Sequence, residues 1–555
     1  MLWGGLTAFM FVALIHLPLW HSLLTTNERE WPDIITQTGD ELLYLAKIRE
    51  VYDGYPRVGQ PFLYERRGEV YEFGVLGEFL MGSFMKLSDL SIKTVSILGD
   101  GVLVFLLVFI AWHVVGYVLP PWYWRVLALA WMFLGESLLT GQRTISPQFN
   151  MIILFLYFWA LIRLDAERLI WCILRSIIIA VLFYTYPYYW TFCLSTEVLL
   201  FVWFAIRDRN PARILQRFVC LAAPLVVIGL PWFMQAWAMK NDPIVAETTA
   251  RLGLLHTRWP KGPAYQVQAI AALVGLWWMG KQNKVLPNLR PLFVLLGATL
   301  VVFNQTILTN AELEFSNHYS IVTNLILRLT VVWLIYIVFY RQKLLGYALI
   351  ATLTLLITAQ TWSRMSEHWS DFTAQASAQE HRQTISKMIE VLEKLPAQQV
   401  VATPLSLATY LTIYTSHYPL LSDMSRLMPM ADAELVTRTR MMRSLFPDDT
   451  LDERITFGTR HINLALHKQI ECRMLNFVRL QKESCEDIQA RQFLPIDPWS
   501  ESQNPLPAEQ LYEALTSRHV GYVLAAEVPD ALESKLKLVD TIGTYRLYQL
   551  NQETQ

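Results

Sequence analysis

The sequence predicts a polytopic α-helical membrane protein with a C-terminal α/β domain outside the cytoplasm. Three observations predict it. About eleven apolar stretches, separated by short connections that are basic at every second position, fill residues 1–361. Hydrophobic residues make up 54% of the chain and charged residues 17%, against about 25% charge in a soluble domain. The shortfall is concentrated in the first two thirds, and the last third reads as an ordinary water-soluble chain.

Spans are expected at 2–24, 93–117, 122–139, 147–164, 169–185, 188–206, 217–239, 264–280, 291–309, 319–340 and 344–361. Most approach the ~20 residues that cross ~30 Å of hydrocarbon. The first run, Leu2 to Leu24, has no basic segment ahead of it and no small-residue cleavage site, so it reads as a retained anchor. One set of connections holds Arg125, Arg163 and Arg168, Arg207 to Arg217, Lys281 to Arg290, and Arg341 with Lys343. By the positive-inside rule that set faces the cytoplasm. The first outer loop, 25–92, then lies on the other side with the turns near Arg143, Tyr186, Asp242 and Glu312 and with everything after Trp362.

Two domains are therefore expected: a transmembrane part, 1–361, and a soluble α/β part, 362–555. Helical periodicity runs from Ala378 to Leu395. Val400–Ala402, Gly521–Ala525, Lys537–Thr541 and Tyr545–Leu550 read as strands, and the Pro-rich stretch 495–507 as a surface connection. No ionisable cluster in this part looks catalytic, which leaves acceptor binding or scaffolding as its expected role. Cys172, Cys193 and Cys220 fall in apolar spans and read as core residues; Cys472 and Cys485 are left open as a disulfide pair. The net charge of −1 gives no field for nucleic acid, and no Cys/His metal spacing occurs.

The chemistry is expected in the first outer loop. Gly39-Asp40-Glu41 opens a helix whose Leu42, Leu45, Ile48 and Tyr52 make an apolar stripe opposite Lys47, Glu50 and Asp53. Such a helix suits the membrane interface. Asp40 is placed as its N-cap and Glu41 in its first turn, where negative charge is favoured. Asp40 either caps the helix and nothing more, or is a carboxylate held at the bilayer surface as a general base.

The segment GDELLYLAKIREVYDGYP, within this order of anchor, long outer loop, many spans and outer domain, resembles the GT-C glycosyltransferases. It is similar to the opening of their protein O-mannosyltransferase and aminoarabinose-transferase branch. The resemblance implies a sugar donor carried on a polyprenyl phosphate, action on the outer face of the membrane, and a catalytic role for Asp40 with Glu41 beside it. The WWDYG signature of N-linked oligosaccharyltransferases is absent, so transfer of whole oligosaccharides to Asn is not expected.

Basic residues that would hold the donor phosphate follow. Loop 240–263 carries Lys240, Arg251, His256, Arg258 and Lys261 against the positive-inside bias. Charge-assisted contacts to phosphate would explain them; attraction to anionic lipid headgroups, or pairing with Asp242 and Glu247, is the plainer reading. Arg328 lies deep in the span 319–340, where a charge must face a polar cavity or a partner such as Asp100, Glu136 or Glu197. His318 and Arg143 at outer turns complete the set. The aromatic run Tyr184 to Trp190 reads mainly as an interfacial belt. No metal site is assigned; a divalent cation on Asp40 and Glu41 is an option and no cofactor is required.

The expected partners are a polyprenyl-phosphate-linked sugar, membrane lipids and an acceptor whose identity the sequence does not reveal. The expected location is a bacterial inner membrane, since the outer parts lack Asn-x-Ser/Thr sites. A transporter or flippase for a lipid-linked solute is the rival class, and a polysaccharide polymerase or ligase shares the donor chemistry.

Overall fold

The computed structural model describes residues 1–17, 20, 39–69, 74–134, 144–163, 169–208, 210–251, 260–282, 289–309, 318–377, 379–447 and 504–551. Each of the eleven apolar stretches forms helix: α1 (Leu2–Ile15), α4 (Ile92–Val118), α5 (Trp122–Leu129), α6 (Asn150–Leu161), α7 (Leu169–Leu182), α8 (Pro187–Asp208), α9 (Pro211–Lys240), α11 (Pro263–Gln282), α12 (Arg290–Thr309), α13 (Tyr319–Arg341) and α14 (Lys343–Ser377). Between them the first outer loop contributes α2 (Gly39–Tyr52) and α3 (Leu76–Ser88), and the 240–263 loop contributes α10 (Pro243–Arg251).

Among the described residues six helices, not eleven, are long and apolar enough to cross a membrane: α4, α8, α9, α12, α13 and α14. The others fall short for visible reasons. α1 has 14 residues, about 21 Å of helix at 1.5 Å per residue. α5 passes at Ala130 into a π-helical turn, and a second π-helical segment, Thr144–Phe149, with Pro147 inside it, precedes α6. α11 has the length, but Gln266, Gln268, Lys281 and Gln282 dilute its apolar character. Local chemistry sets several starts. Ser91 accepts a hydrogen bond from the Thr94 amide ahead of α4, and Asn210 caps α9 just before Pro211.

Side-chain and backbone contacts sort the connections into two groups. In one, the Trp3 ring stacks on Trp122 at 4.8 Å, Cys172 Sγ donates to the Arg217 carbonyl, and Arg341 donates to Gln282. In the other, the Leu76 amide donates to the Tyr184 carbonyl, Tyr186 meets His318, the Lys261 amide donates to Phe303 O, and α2 packs on the C-terminal domain. The first group holds the connections that carry Arg125, Arg217 and Arg341, and the second holds the first outer loop and the basic 240–263 loop.

α14 runs on past residue 361 to Ser377 and is followed by α15 (Gln379–Leu392). The sheet that follows has the order β2-β1-β3-β5-β4, from β1 (Val400–Ala402), β2 (Tyr418–Pro419), β3 (Val520–Ala525), β4 (Leu536–Ile542) and β5 (Tyr545–Leu550). β2, β1 and β3 are parallel; β5 and β4 extend the sheet antiparallel. Val401, Tyr522 and Leu524 face α15 and α16 (Leu405–Tyr414). Val400, Ala402 and Val523 face α17 (Asp432–Leu445) and α18 (Ala508–Ser517). The two-residue side-chain period of a strand thus feeds two cores, one on each face of the sheet. Cys472 and Cys485 lie outside the described residues, as does most of 495–507.

Candidate functional site

α2 is the floor of the site. Gly39 and Asp40 are both helical, so Asp40 lies within the helix and is not its N-cap; the Asp40 side chain lies outside the described residues. The apolar stripe is real: Leu45 and Ile48 pack with Met85, Ile145, Ile413 and Met428. The polar side is a correction. Two of its three residues, Lys47 and Glu50, are buried and Asp53 is half-buried, so this side is largely covered by protein. α2 is enclosed by α3, the bundle and the C-terminal domain, so it is no free interfacial helix. Gly82 permits this closeness on the α3 side, since a Cβ there would meet Ile48 O at 2.6 Å.

The buried charges have partners of different quality. Lys47 Nζ lies 4.0 Å from Glu78 Oε1. Glu50 accepts from the Gly68 amide at 3.0 Å, while its other oxygen has no hydrogen-bond partner among the described residues. Burial pushes the Glu50 carboxyl up to about 7, against the pull of the Gly68 and Gly59 amides and Lys47. Burial likewise raises Asp53, although Arg49 Nε bonds its carboxylate at 3.0 Å. Glu78 is raised by the same cause, with Lys47 opposing.

The basic loop is partly described. Asp242 Oδ1 accepts from Ile244 N at 2.9 Å and caps α10, and Glu247 Oε2 accepts from the Asp432 amide at 2.8 Å. One oxygen of each acid thus serves a helix end, and the pairing with loop cations falls on side chains outside the described residues. Arg251 closes α10. The Arg251 side chain, His256 and Arg258 lie outside the described residues, and so do Arg143 and Glu136. Lys261 is fixed through its amide, which donates to Phe303 O at 2.9 Å. The next residue, Gly262, has φ +54°, and a Cβ there would meet the Phe303 ring.

His318 joins the aromatic run. Tyr186 OH hydrogen-bonds His318 Nδ1, and the Tyr188 ring stacks on the imidazole at 4.8 Å. Two of the five aromatic residues of this run, Tyr188 and Tyr189, are buried, which corrects the belt reading for them: they are core, and Tyr188 packs on His318. Tyr319 continues the network through Thr191 Oγ1 at 2.8 Å and Gln305 Nε2 at 3.2 Å.

Of the acids proposed for Arg328, Asp100 and Glu197 have other partners and Glu136 lies outside the described residues; Arg328 itself reaches the backbone. Its Nη1 donates to the Trp131 carbonyl, in the π-helical turn after α5, and its guanidinium lies 5.9 Å from the Trp131 ring. A π turn breaks the regular carbonyl ladder, and the Arg supplies a donor to it. Asp100 is engaged instead by His16 at 2.6 Å, and Glu197 by Arg175 Nε at 2.6 Å with Tyr157 OH at 2.9 Å. Sequence reasoning missed His16 and Arg175. Arg175 had the same signal as Arg328, a lone cation inside an apolar run.

The structure thus brings together α2, the start of the 240–263 loop and the C-terminal domain at one end of the bundle, and His318 with Tyr186. The Asp40 side chain and Arg258 lie outside the described residues, so the structure does not relate them. Glu41 with Asp40 is where a cation would be held; among the described residues no three His, Cys, Asp or Glu converge as a metal site.

No known family model and no curated protein matches the chain. Solved structures give loose likenesses. An oligosaccharyltransferase from Archaeoglobus fulgidus, tethered to an acceptor peptide with an NVT sequon, is similar at 12% identity over 76% of this chain, with a TM-score of 0.42. The chain spans 64% of the length of that protein. The archaeal oligosaccharyltransferase AglB of the same organism, in complex with an inhibitory peptide and a dolichol-phosphate, is similar at 10% identity, covering 94% of this chain and 69% of its own, with a TM-score of 0.44. ArnT from Cupriavidus metallidurans, bound to undecaprenyl phosphate, is similar at 11% identity over 97% of this chain and 98% of its own, with a TM-score of 0.40.

Proposed function

We propose that the chain is a GT-C-type membrane glycosyltransferase that moves a sugar from a polyprenyl phosphate to an acceptor hydroxyl on the extracytoplasmic face of a bacterial inner membrane. The observation that supports it best is a convergence. The helix that opens with Asp40-Glu41 and the helix that leads into the basic loop both pack on the same stretch of the C-terminal domain, at one end of a polytopic bundle.

In this reading Asp40 accepts the proton of the acceptor hydroxyl, with Glu41 as its neighbour. The hydroxyl oxygen forms a bond to the anomeric carbon as the bond from that carbon to the phosphate oxygen breaks, and the electron pair leaves with the polyprenyl phosphate. Attack from the opposite face inverts the anomeric centre. Arg251, His256, Arg258 and Lys261 balance the charge on the departing phosphate, joined in this role by His318, Arg143 and, from within the bundle, Arg328. The protein mainly supplies position and preorganised positive charge.

The test is transfer of label from a radiolabelled polyprenyl-phosphate sugar in reconstituted vesicles. Asp40→Asn should abolish transfer by the folded protein. A fully active Asn variant removes Asp40 from the role of base. Label that only crosses the bilayer, without joining an acceptor, replaces the enzyme with a flippase.

A further inference from the structure

Residues 429–438 of the C-terminal domain touch both halves of the candidate site. Toward the first outer loop, the Pro429 carbonyl accepts from Gln60 Nε2 at 3.4 Å, and Arg438 Nη2 lies 2.9 Å from Glu65 Oε1. Leu63 is fully buried against Met430 and Leu420. Toward the basic loop, the Met430 amide donates to Thr248 Oγ1 at 3.3 Å and the Asp432 amide to Glu247 Oε2 at 2.8 Å. Asp432 is the first residue of α17, and the helix has no side-chain cap of its own. Glu247 therefore satisfies one of its orphan amides from another element, where the helix dipole favours a carboxylate. Arg438 is anchored behind this contact, donating to the Leu420 carbonyl at 2.8 Å and to Glu434 at 2.8 Å.

From this arrangement we propose that segment 429–438 is a clasp that fixes the spacing between the Asp40 loop and the basic loop, with Glu247 as its positioning residue. The proposal gives the C-terminal domain a task inside the membrane-proximal site, and it rests on the glycosyltransferase reading for what that spacing serves. α10 is four residues long between Glu247 and Arg251, one helical turn. A shift at Glu247 is thus passed along the helix to Arg251. The opposite arm, Gln60 to Glu65, belongs to the loop that continues from α2.

Two measurements on the full chain in detergent micelles test it. Amide hydrogen exchange reads segments 243–251 and 59–69, and a binding titration reads affinity for polyprenyl phosphate added as the free carrier lipid. Glu247→Ala should speed exchange in both segments together, by about tenfold. It should also weaken carrier binding about fivefold or more. Glu247→Gln keeps the acceptor oxygen and should stay close to the parent in both. Faster exchange confined to 243–251 overturns the clasp, as does unchanged carrier affinity in a variant whose two segments have loosened. If the alanine variant loosens across the whole bundle, Glu65→Gln, which breaks the ion pair of the other arm, decides by the same two segments. A parent protein that binds no carrier overturns the glycosyltransferase reading, while the exchange of the two segments still decides the clasp.

Discussion

His16 and Asp100 meet inside the helical bundle, Nε2 to Oδ2 at 2.6 Å, and both are buried. His16 Nδ1 bonds the Val12 carbonyl at 2.9 Å, so the ring is fixed on both nitrogens and ties α1 to α4. Removing one partner leaves a polar group alone in an apolar setting. We expect His16→Ala or Asp100→Ala to cost about 3–5 kcal/mol, and replacement of both by Leu to cost much less. Thermal unfolding in detergent checks this; a double variant no better than either single one contradicts it.

Arg328 gives a second prediction. Its donor serves the Trp131 carbonyl. Arg328→Met should lower stability by about 1–3 kcal/mol, because that acceptor loses its partner. Arg328→Lys, which can still donate, should recover most of it. Loss of carrier affinity with stability intact would make the phosphate its main partner instead.

The fold class was legible because the period and length of the apolar runs are imposed by the bilayer, and the strands of the C-terminal domain by its two cores. Val400–Ala402 and Tyr545–Leu550 were found at their observed bounds. What the sequence hid was burial. The pattern Leu42, Leu45, Ile48, Tyr52 reveals one face of α2, but nothing local says that Lys47 and Glu50 will be buried once α16, more than 350 positions on, packs against the helix. The same holds for Tyr188, whose aromatic neighbours suggest a lipid belt until His318 packs onto it. At α5 and α6 the sequence also did not show the π-helical segments Ala130–Leu134 and Thr144–Phe149, whose composition is continuous with the runs they belong to.

The Tyr186–His318 contact yields a third prediction. With the Tyr188 ring stacked beside it, the imidazole keeps its place when the hydroxyl is removed, but loses the bond that orients it. Tyr186→Phe should leave unfolding unchanged and raise KM for the lipid donor about threefold to tenfold, the worth of one hydrogen bond of about 1 kcal/mol. His318→Ala should exceed that effect. Equal donor KM in all three proteins takes His318 out of the donor site.

Glu50 makes stability depend on pH, and the sign follows from the direction of its shift. Burial disfavours the charge and pushes its carboxyl up from the ordinary 4.5 of a free glutamate to about 7. Below pH 4.5 both folded and unfolded chains hold the proton and the group contributes no slope. Between 4.5 and about 7 the unfolded chain ionises first, so rising pH favours unfolding, and above that window the loss is complete. At roughly 1.4 kcal/mol per unit the loss is about 3 kcal/mol at most. Glu50→Gln stays neutral and can still accept from the Gly68 amide. It should therefore melt higher than the parent at pH 8 and equal to it near pH 4.5. Asp53 and Glu78 share the direction and will remain in the variant, so its pH profile should flatten without becoming level. Melting curves of the two proteins that run parallel from pH 4.5 to 8 would show that Glu50 ionises in the fold as readily as in water.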